Sequence, residues 1–107
     1  MRKFQKKILL WLRKNPPKYK LVLVFWEDAN ASLTWEEIPV IEKLHPSICM
    51  SVGYLINKTD DSFVLTSDFS FDEKNADFVI SEGGNTMVIP TKNILKIEEL
   101  PLKYKFK

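Results

Sequence analysis

The residue types with the most chemistry to offer lie in one stretch, WEDANASLTWEE, residues 26–37. It holds four carboxylates, Glu27, Asp28, Glu36 and Glu37, around two tryptophans, Trp26 and Trp35. Grouped carboxylates can exchange protons or hold a cation, provided they converge on one point. These come as adjacent pairs, and adjacent side chains on extended backbone point to opposite faces. The D-x-D-x-D-G of calcium loops and the E-x-x-H of di-iron bundles are both missing. Thr34 and Glu37 instead have the T-x-x-E spacing of a helix capping box, which gives Glu37 a structural task. His45 is the only histidine and Cys49 the only cysteine, so no cysteine-based zinc site and no intrachain disulfide can form. No G-x-S-x-G, H-E-x-x-H, P-loop or G-x-G-x-x-G is present. The reading is of a chain that is not an enzyme and carries no metal and no cofactor.

What remains in that stretch is the capacity to bind. Trp26 and Trp35 offer two flat faces, and Asp28 and Asn30 put hydrogen-bonding tips between them. Ser51-Val52-Gly53-Tyr54 places a glycine inside a strand, which marks a bulge, a bend or the close approach of a ligand or another backbone. Trp26, Asp28, Asn30, Trp35, Ser51 and Tyr54 therefore form the expected ligand site. It suits a planar, nucleotide-like small molecule, because aromatic faces stack bases. Two other surfaces compete. In DFSFDE, Phe69 and Phe71 alternate with acids and resemble aromatic anchors inside a charged rim, fit for a protein partner. Lys3, Lys6, Lys7, Arg13 and Lys14 near one end suit nucleic acid or an anionic membrane surface, and KYKFK at the other, with Tyr104 and Phe106 between lysines, suits nucleic acid.

Charge is distributed to match. Residues 1–20 carry eight Lys/Arg and no acid, whereas residues 21–100 hold five lysines against all fourteen acids, a net of −9. The overall +2 thus hides an acidic body between basic ends. MRKFQKK followed by ILLWL has too short an apolar run for a signal peptide or a spanning helix, so a soluble chain is expected.

The elements that must position these residues follow from periodicity and breakers. In residues 2–14, Phe4, Ile8, Trp11 and Leu12 share one face of an amphipathic helix, with lysine and arginine on the rest. Asn15-Pro16-Pro17 ends it. KLVLVFW, residues 20–26, is a continuous β-branched and aromatic run, as in a strand covered on both faces. A short helical turn within 35–44 is expected after it, limited by Pro39 and His45-Pro46. Residues 48–57 and 61–66 read as strands joined at Lys58-Thr59-Asp60, and residues 68–75 as a charged loop. Residues 77–81 and 86–89 read as a hairpin across Glu82-Gly83-Gly84-Asn85, whose glycines would supply positive φ. Residues 90–93 read as a single turn before a last short strand. The expected fold is mainly β: a small, closed, five-stranded SH3-like or Sm-like barrel carrying an N-terminal basic amphipathic helix. The chain divides into residues 1–19 (helix and Pro-Pro linker), 20–100 (barrel) and 101–107 (basic tail).

Taken in order, W-x-D-A from Trp26 to Ala29, then Trp35, S-V-G-x-L from Ser51 to Leu55, V-L-T-S from Val64 to Ser67, and I-P-x-x-x-I-x-x-I-x-x-L from Ile89 to Leu100 resemble a family of small uncharacterised phage and prophage proteins. The resemblance spans about residues 20–100. The last motif is also similar to the end of SH3-like and Sm-like barrels. Sm-type RNA reading does not carry over, because Ile89-Pro90 stands where an Arg-Gly turn would be and no arginine follows Arg13. The resemblance implies a non-enzymatic protein of the bacterial host's cytoplasm. It would act against host defence, by sequestering a small ligand or by inhibiting a host protein. It also allows a homo-oligomer with pockets between subunits.

Overall fold

The computed structural model describes residues 1–29, 34–75 and 77–101. Helix α1, Lys3–Lys14, opens with the Gln5 side chain accepting a bond from the Arg2 backbone N–H at 2.9 Å. It closes where the Asn15 backbone N–H and side-chain amide both donate to the Trp11 carbonyl, just before the two prolines. Strand β1, Leu21–Asp28, leads to a single helical turn α2, Ile38–Ile41. Strands β2, Ser47–Lys58, β3, Ser62–Lys74, and β4, Asp77–Pro90, follow in antiparallel succession. A 3-10 turn, Thr91–Asn93, then delivers the chain into β5, Ile94–Leu100.

All five strands belong to one antiparallel sheet of order β4-β3-β2-β1-β5. Opposed residues share a face, so Val22, Val24 and Trp26 stand beside Gly53, Ser51 and Cys49. That face is concave. Ser51 Oγ reaches Met87 Sδ at 3.5 Å although β3 lies between their strands. Bulges at Phe25/Trp26, Leu55/Asn57 and Ser70/Phe71 provide the bend. Inside the curve Val22, Val24, Leu65 and Ile89 are buried, with Trp26, Leu55 and Ile94 packed against them. The 3-10 turn seals one end. There the Thr91 N–H donates to the Asp61 carbonyl at 2.9 Å and the Asn93 amide to the Glu27 carbonyl at 3.0 Å.

Four expectations are corrected. The barrel is not closed, because β4 and β5 are the two edges of the sheet. Only three residues separate them, and that turn sends β5 across to β1 rather than back along β4. Residues 68–75 are not a loop, and Glu82-Gly83-Gly84-Asn85 is not a hairpin turn. β3 and β4 run together from Ser62↔Pro90 to Lys74↔Asp77, and no glycine has positive φ. The real reversal lies beyond Lys74, where Asn75 takes φ 50°, a value asparagine tolerates. The capping box does not form either. Glu37 is itself the N-cap and makes no side-chain capping bond, because Pro39 belongs in the first turn and starts the helix at Ile38.

Helix α1 packs on the far end of the β3–β4 hairpin, so its apolar face is used within the chain. Phe78, buried there, meets the rings of Phe4 and Trp11 edge-on at 5.8 and 5.6 Å. The Trp11 indole N–H donates to Asp77 at 3.1 Å, and Lys7 pairs with Glu73 at 2.6 Å. No helix among the described residues is long and apolar enough to cross a membrane.

Candidate functional site

Three aromatic side chains, Tyr19, Tyr54 and Phe69, gather where the linker after α1 crosses the β3–β4 hairpin. Pro16 and Pro17 stop the helix and keep the following chain extended, which lays Tyr19 against β3. From β3, Phe69 presents its ring to Tyr19 at 5.8 Å and to Tyr54 of β2 at 4.7 Å, both tilted. All three rings are half-buried. Contacts of this kind add about 0.5–1.5 kcal/mol beyond area burial, so the cluster is a stable platform.

Three adjoining depressions share these rings as walls. One, of about 370 Å³, lies among Trp11, Pro17, Lys18, Tyr19, Phe71 and Phe78. A second, of about 310 Å³, lies between Tyr19, Phe69, Thr66, Ile80, Glu82 and Gly83. The third, of about 360 Å³, is bounded by Leu9 and Leu12 of α1 and by Tyr54, Asp68, Phe69 and Phe71 of the sheet. Their volumes lie at the lower end of the range of small-molecule sites, and their walls are mostly apolar, as such sites require. The charges at their edges differ in sign. Lys18 Nζ sits 5.4 Å from the Tyr19 ring, whereas Glu82 and Asp68 border the other two depressions. The Asp68 carboxylate accepts a bond from the Asn85 amide.

The expected ligand residues are divided by the sheet. Trp26 turns into the core and its indole N–H donates to Ser51 Oγ at 3.0 Å, so these two residues do meet, as a structural pair. Trp35 is fully exposed, at 103 % of its reference surface, so the two tryptophans do not form opposite walls of one cleft. Asp28 ends β1 opposite Ser47 and is exposed. Asn30 lies outside the described residues. Tyr54 lies on the other side of β2 from Ser51, because side chains alternate along a strand. It joins Phe69 in the aromatic junction, where Phe71 also lies.

One residue of the expected ligand site and two of the expected protein anchors thus come together. Phe69 and Phe71 belong to a strand and are half-buried, so they do not project as loop anchors. Of the basic set, Lys7 is engaged with Glu73, while Lys3, Lys6, Arg13 and Lys14 are exposed. The KYKFK tail lies outside the described residues. The sequence reading omitted Tyr19 and Phe78. Tyr19 carries only a weak signal, one aromatic between two lysines after a proline pair. Phe78 is the inward residue of an alternating run and would be found by pairing it with Glu73 across the hairpin.

Chemically the junction can stack and exclude water. Among the described residues no three His, Cys, Asp or Glu side chains are grouped so as to hold a metal ion. The His45 ring lies 2.9 Å from the Pro46 carbonyl on an exposed turn. Comparison with protein-family models, with the curated proteins and with the solved structures finds no match. The likeness to small phage proteins stands on the quoted residues alone.

Proposed function

We propose that the protein is a non-enzymatic binding module that takes a small, flat ligand at the junction of Tyr19, Tyr54, Phe69 and Phe71. The observation that carries this reading is the half-buried three-ring cluster at the shared wall of three mostly apolar depressions. A nucleobase is the chemistry the rings suit best, since each stacked base contributes roughly 1–3 kcal/mol to binding. The exposed ammonium of Lys18 beside Tyr19 favours a ligand carrying negative charge, such as a nucleotide. A phage-encoded role against host defence, and the reading of the curled open sheet as an SH3-like or Sm-like small barrel, enter through the sequence resemblance.

The test is a thermal-shift panel of mono- and cyclic nucleotides. A ligand present at one hundred times its Kd stabilises the folded state by about 2.7 kcal/mol, which raises Tm by several degrees in a domain this size. The shift should vanish in Tyr54→Ala while the unliganded protein still melts cooperatively. If no nucleotide raises the Tm, or Tyr54→Ala keeps the full shift, the junction is not the site.

A further inference from the structure

Helix α1 packs its apolar face within the chain and keeps a row of cations outside. At about 3.6 residues per turn, Lys3, Lys6, Lys7, Arg13 and Lys14 fall within an arc of about 120° around the helix. Leu10, 60 % exposed, stands inside that arc. Its neighbours three and four positions away are all cations, Lys6, Lys7, Arg13 and Lys14. Lys7 is held by Glu73, whereas Lys3, Lys6, Arg13 and Lys14, like Lys18 in the linker, are exposed and form no ion pair with a described residue. The arc runs directly into the aromatic junction. Leu9 and Leu12 bound the depression that Tyr54, Phe69 and Phe71 line from the sheet. Lys6 and Arg13 flank Leu9 on the helix surface, three positions before it and four after. On the linker, Lys18 Nζ lies 5.4 Å from the Tyr19 ring. Three acids of the neighbourhood are engaged: Glu73 holds Lys7, Asp77 accepts the Trp11 indole N–H, and Asp68 accepts the Asn85 amide. Asp72 and Glu82 are exposed.

Cations beside stacking faces select a strand of phosphates and bases. Proteins that hold such a strand unpaired combine a basic track for its backbone with aromatic platforms for its bases. A membrane surface would require an apolar face of α1 to bury among the lipids, and Phe4 and Trp11 of that face already meet Phe78. An acidic protein would match the cations and leave the rings without a role. A duplex keeps its bases stacked inside and offers none to the junction. Each of the three adjoining depressions is of small-molecule size, so successive bases have room. We propose that single-stranded nucleic acid binds across α1 and the junction, with its phosphates on Lys6, Arg13 and Lys18 and its bases against Tyr54 and Phe69. The inference rests on the stacking role given to the junction above and extends its ligand from one nucleotide to a strand. Binding should be sequence-tolerant, because phosphates carry no sequence and every base has a face to stack.

Fluorescence anisotropy with a labelled oligothymidylate of about twelve nucleotides, within the usual range of site sizes, tests the inference. The oligomer should bind more tightly than thymidine monophosphate, and its log K should fall with log salt by about 0.7 per phosphate held. Lys6→Ala combined with Arg13→Ala changes two exposed side chains. It should flatten that slope by about 1.4, two phosphates at about 0.7 each, with the far-UV circular dichroism unchanged. Tyr54→Ala should weaken binding about fivefold or more through the lost stack. Tyr54→Leu, which keeps apolar bulk, replaces it if the alanine variant fails to fold. An unchanged slope in the double variant, unchanged affinity in the Tyr54 variant, or equally tight binding of a duplex of the same length would each overturn the inference. So would vesicles of phosphatidylserine and phosphatidylcholine that bind the protein while the oligomer stays free. The mononucleotide separates the two readings. If thymidine monophosphate raises the Tm but the oligomer binds no more tightly, the strand is refuted and the junction remains a small-ligand site. If neither binds, both readings fall.

Discussion

Thr66 is the one buried polar side chain among the described residues. Its hydroxyl donates to the Gly84 carbonyl at 2.7 Å, and the Thr86 hydroxyl lies 3.1 Å away. Two glycines make room for it. A Cβ on Gly53 would lie 3.1 Å from the Thr66 carbonyl oxygen and 3.3 Å from Leu65 Cβ, while one on Gly83 would lie 3.1 Å from Thr66 Oγ1. At Gly84 the nearest atom would be Asp68 Cβ, at an ordinary 3.7 Å. Gly53→Ala should therefore destabilise the fold by about 1–3 kcal/mol, because paired backbone cannot retreat. Gly84→Ala should be neutral or slightly stabilising, since it removes freedom from the unfolded chain without a clash. Urea denaturation of the two variants checks the contrast, and equal losses would contradict it. The mid-strand position of Gly53 correctly signalled a close approach, but the approaching group is the neighbouring strand. Trp26 and Ser51 are also neighbours, with Trp26 packed on the core and its indole N–H donating to the Ser51 hydroxyl.

At the scale of elements, α1 and the hairpin that carries it depend on one another. A twelve-residue helix is marginal in water by itself, so its order comes from the face it packs. Phe78 is the centre of that contact, meeting both Phe4 and Trp11. Phe78→Ala should cost about 3–5 kcal/mol, as for other buried aromatic truncations. It should also reduce the helical signal at 222 nm before the sheet melts. Lys7→Ala removes an ion pair whose side chains are 50 % and 41 % exposed, and should cost no more than about 1 kcal/mol. Circular dichroism melts of both variants test the ranking, and a Phe78→Ala chain with full helicity would show that α1 stands by other contacts. The helix itself was legible from residues 2–14, because its apolar spacing and the Pro-Pro stop are local signals. Its resting place was not, because that depends on residues 73–78, which the sequence places more than sixty positions away. DFSFDEKN was misread as a loop for a related reason. Its strand character comes from pairing with residues 77–84, not from its own charged composition.

The whole molecule is long for its size. It measures 64 × 30 × 23 Å with a radius of gyration of 19.4 Å, where a compact chain of this length has about 13 Å. The β3–β4 hairpin, with strands of 13 and 14 residues at about 3.3 Å per residue, contributes much of that length. Small-angle scattering from the protein should give a radius close to 19.4 Å. A value near 13 Å would mean that the hairpin folds back on the sheet. Aromatic contacts at the junction depend on this extension, since Phe69 and Phe71 occupy the part of β3 between the core and the far end.

By itself the sequence determined the mainly β character, the amphipathic helix and its proline stop, the short helical turn after β1 and the single turn before β5. These rest on hydrophobic period and on breakers, which act over a few residues. It also placed every acid of the chain in residues 21–100, between basic ends. Only the tertiary structure decided that the sheet stays open, that Gly83 makes room for Thr66 rather than a turn, and that Tyr54 joins Phe69 instead of Trp26. It alone showed the outer face of β2 to be exposed at Ile48, Met50 and Val52. Each of these depends on which strands lie side by side and how sharply the sheet curls, and no short window of sequence contains that information.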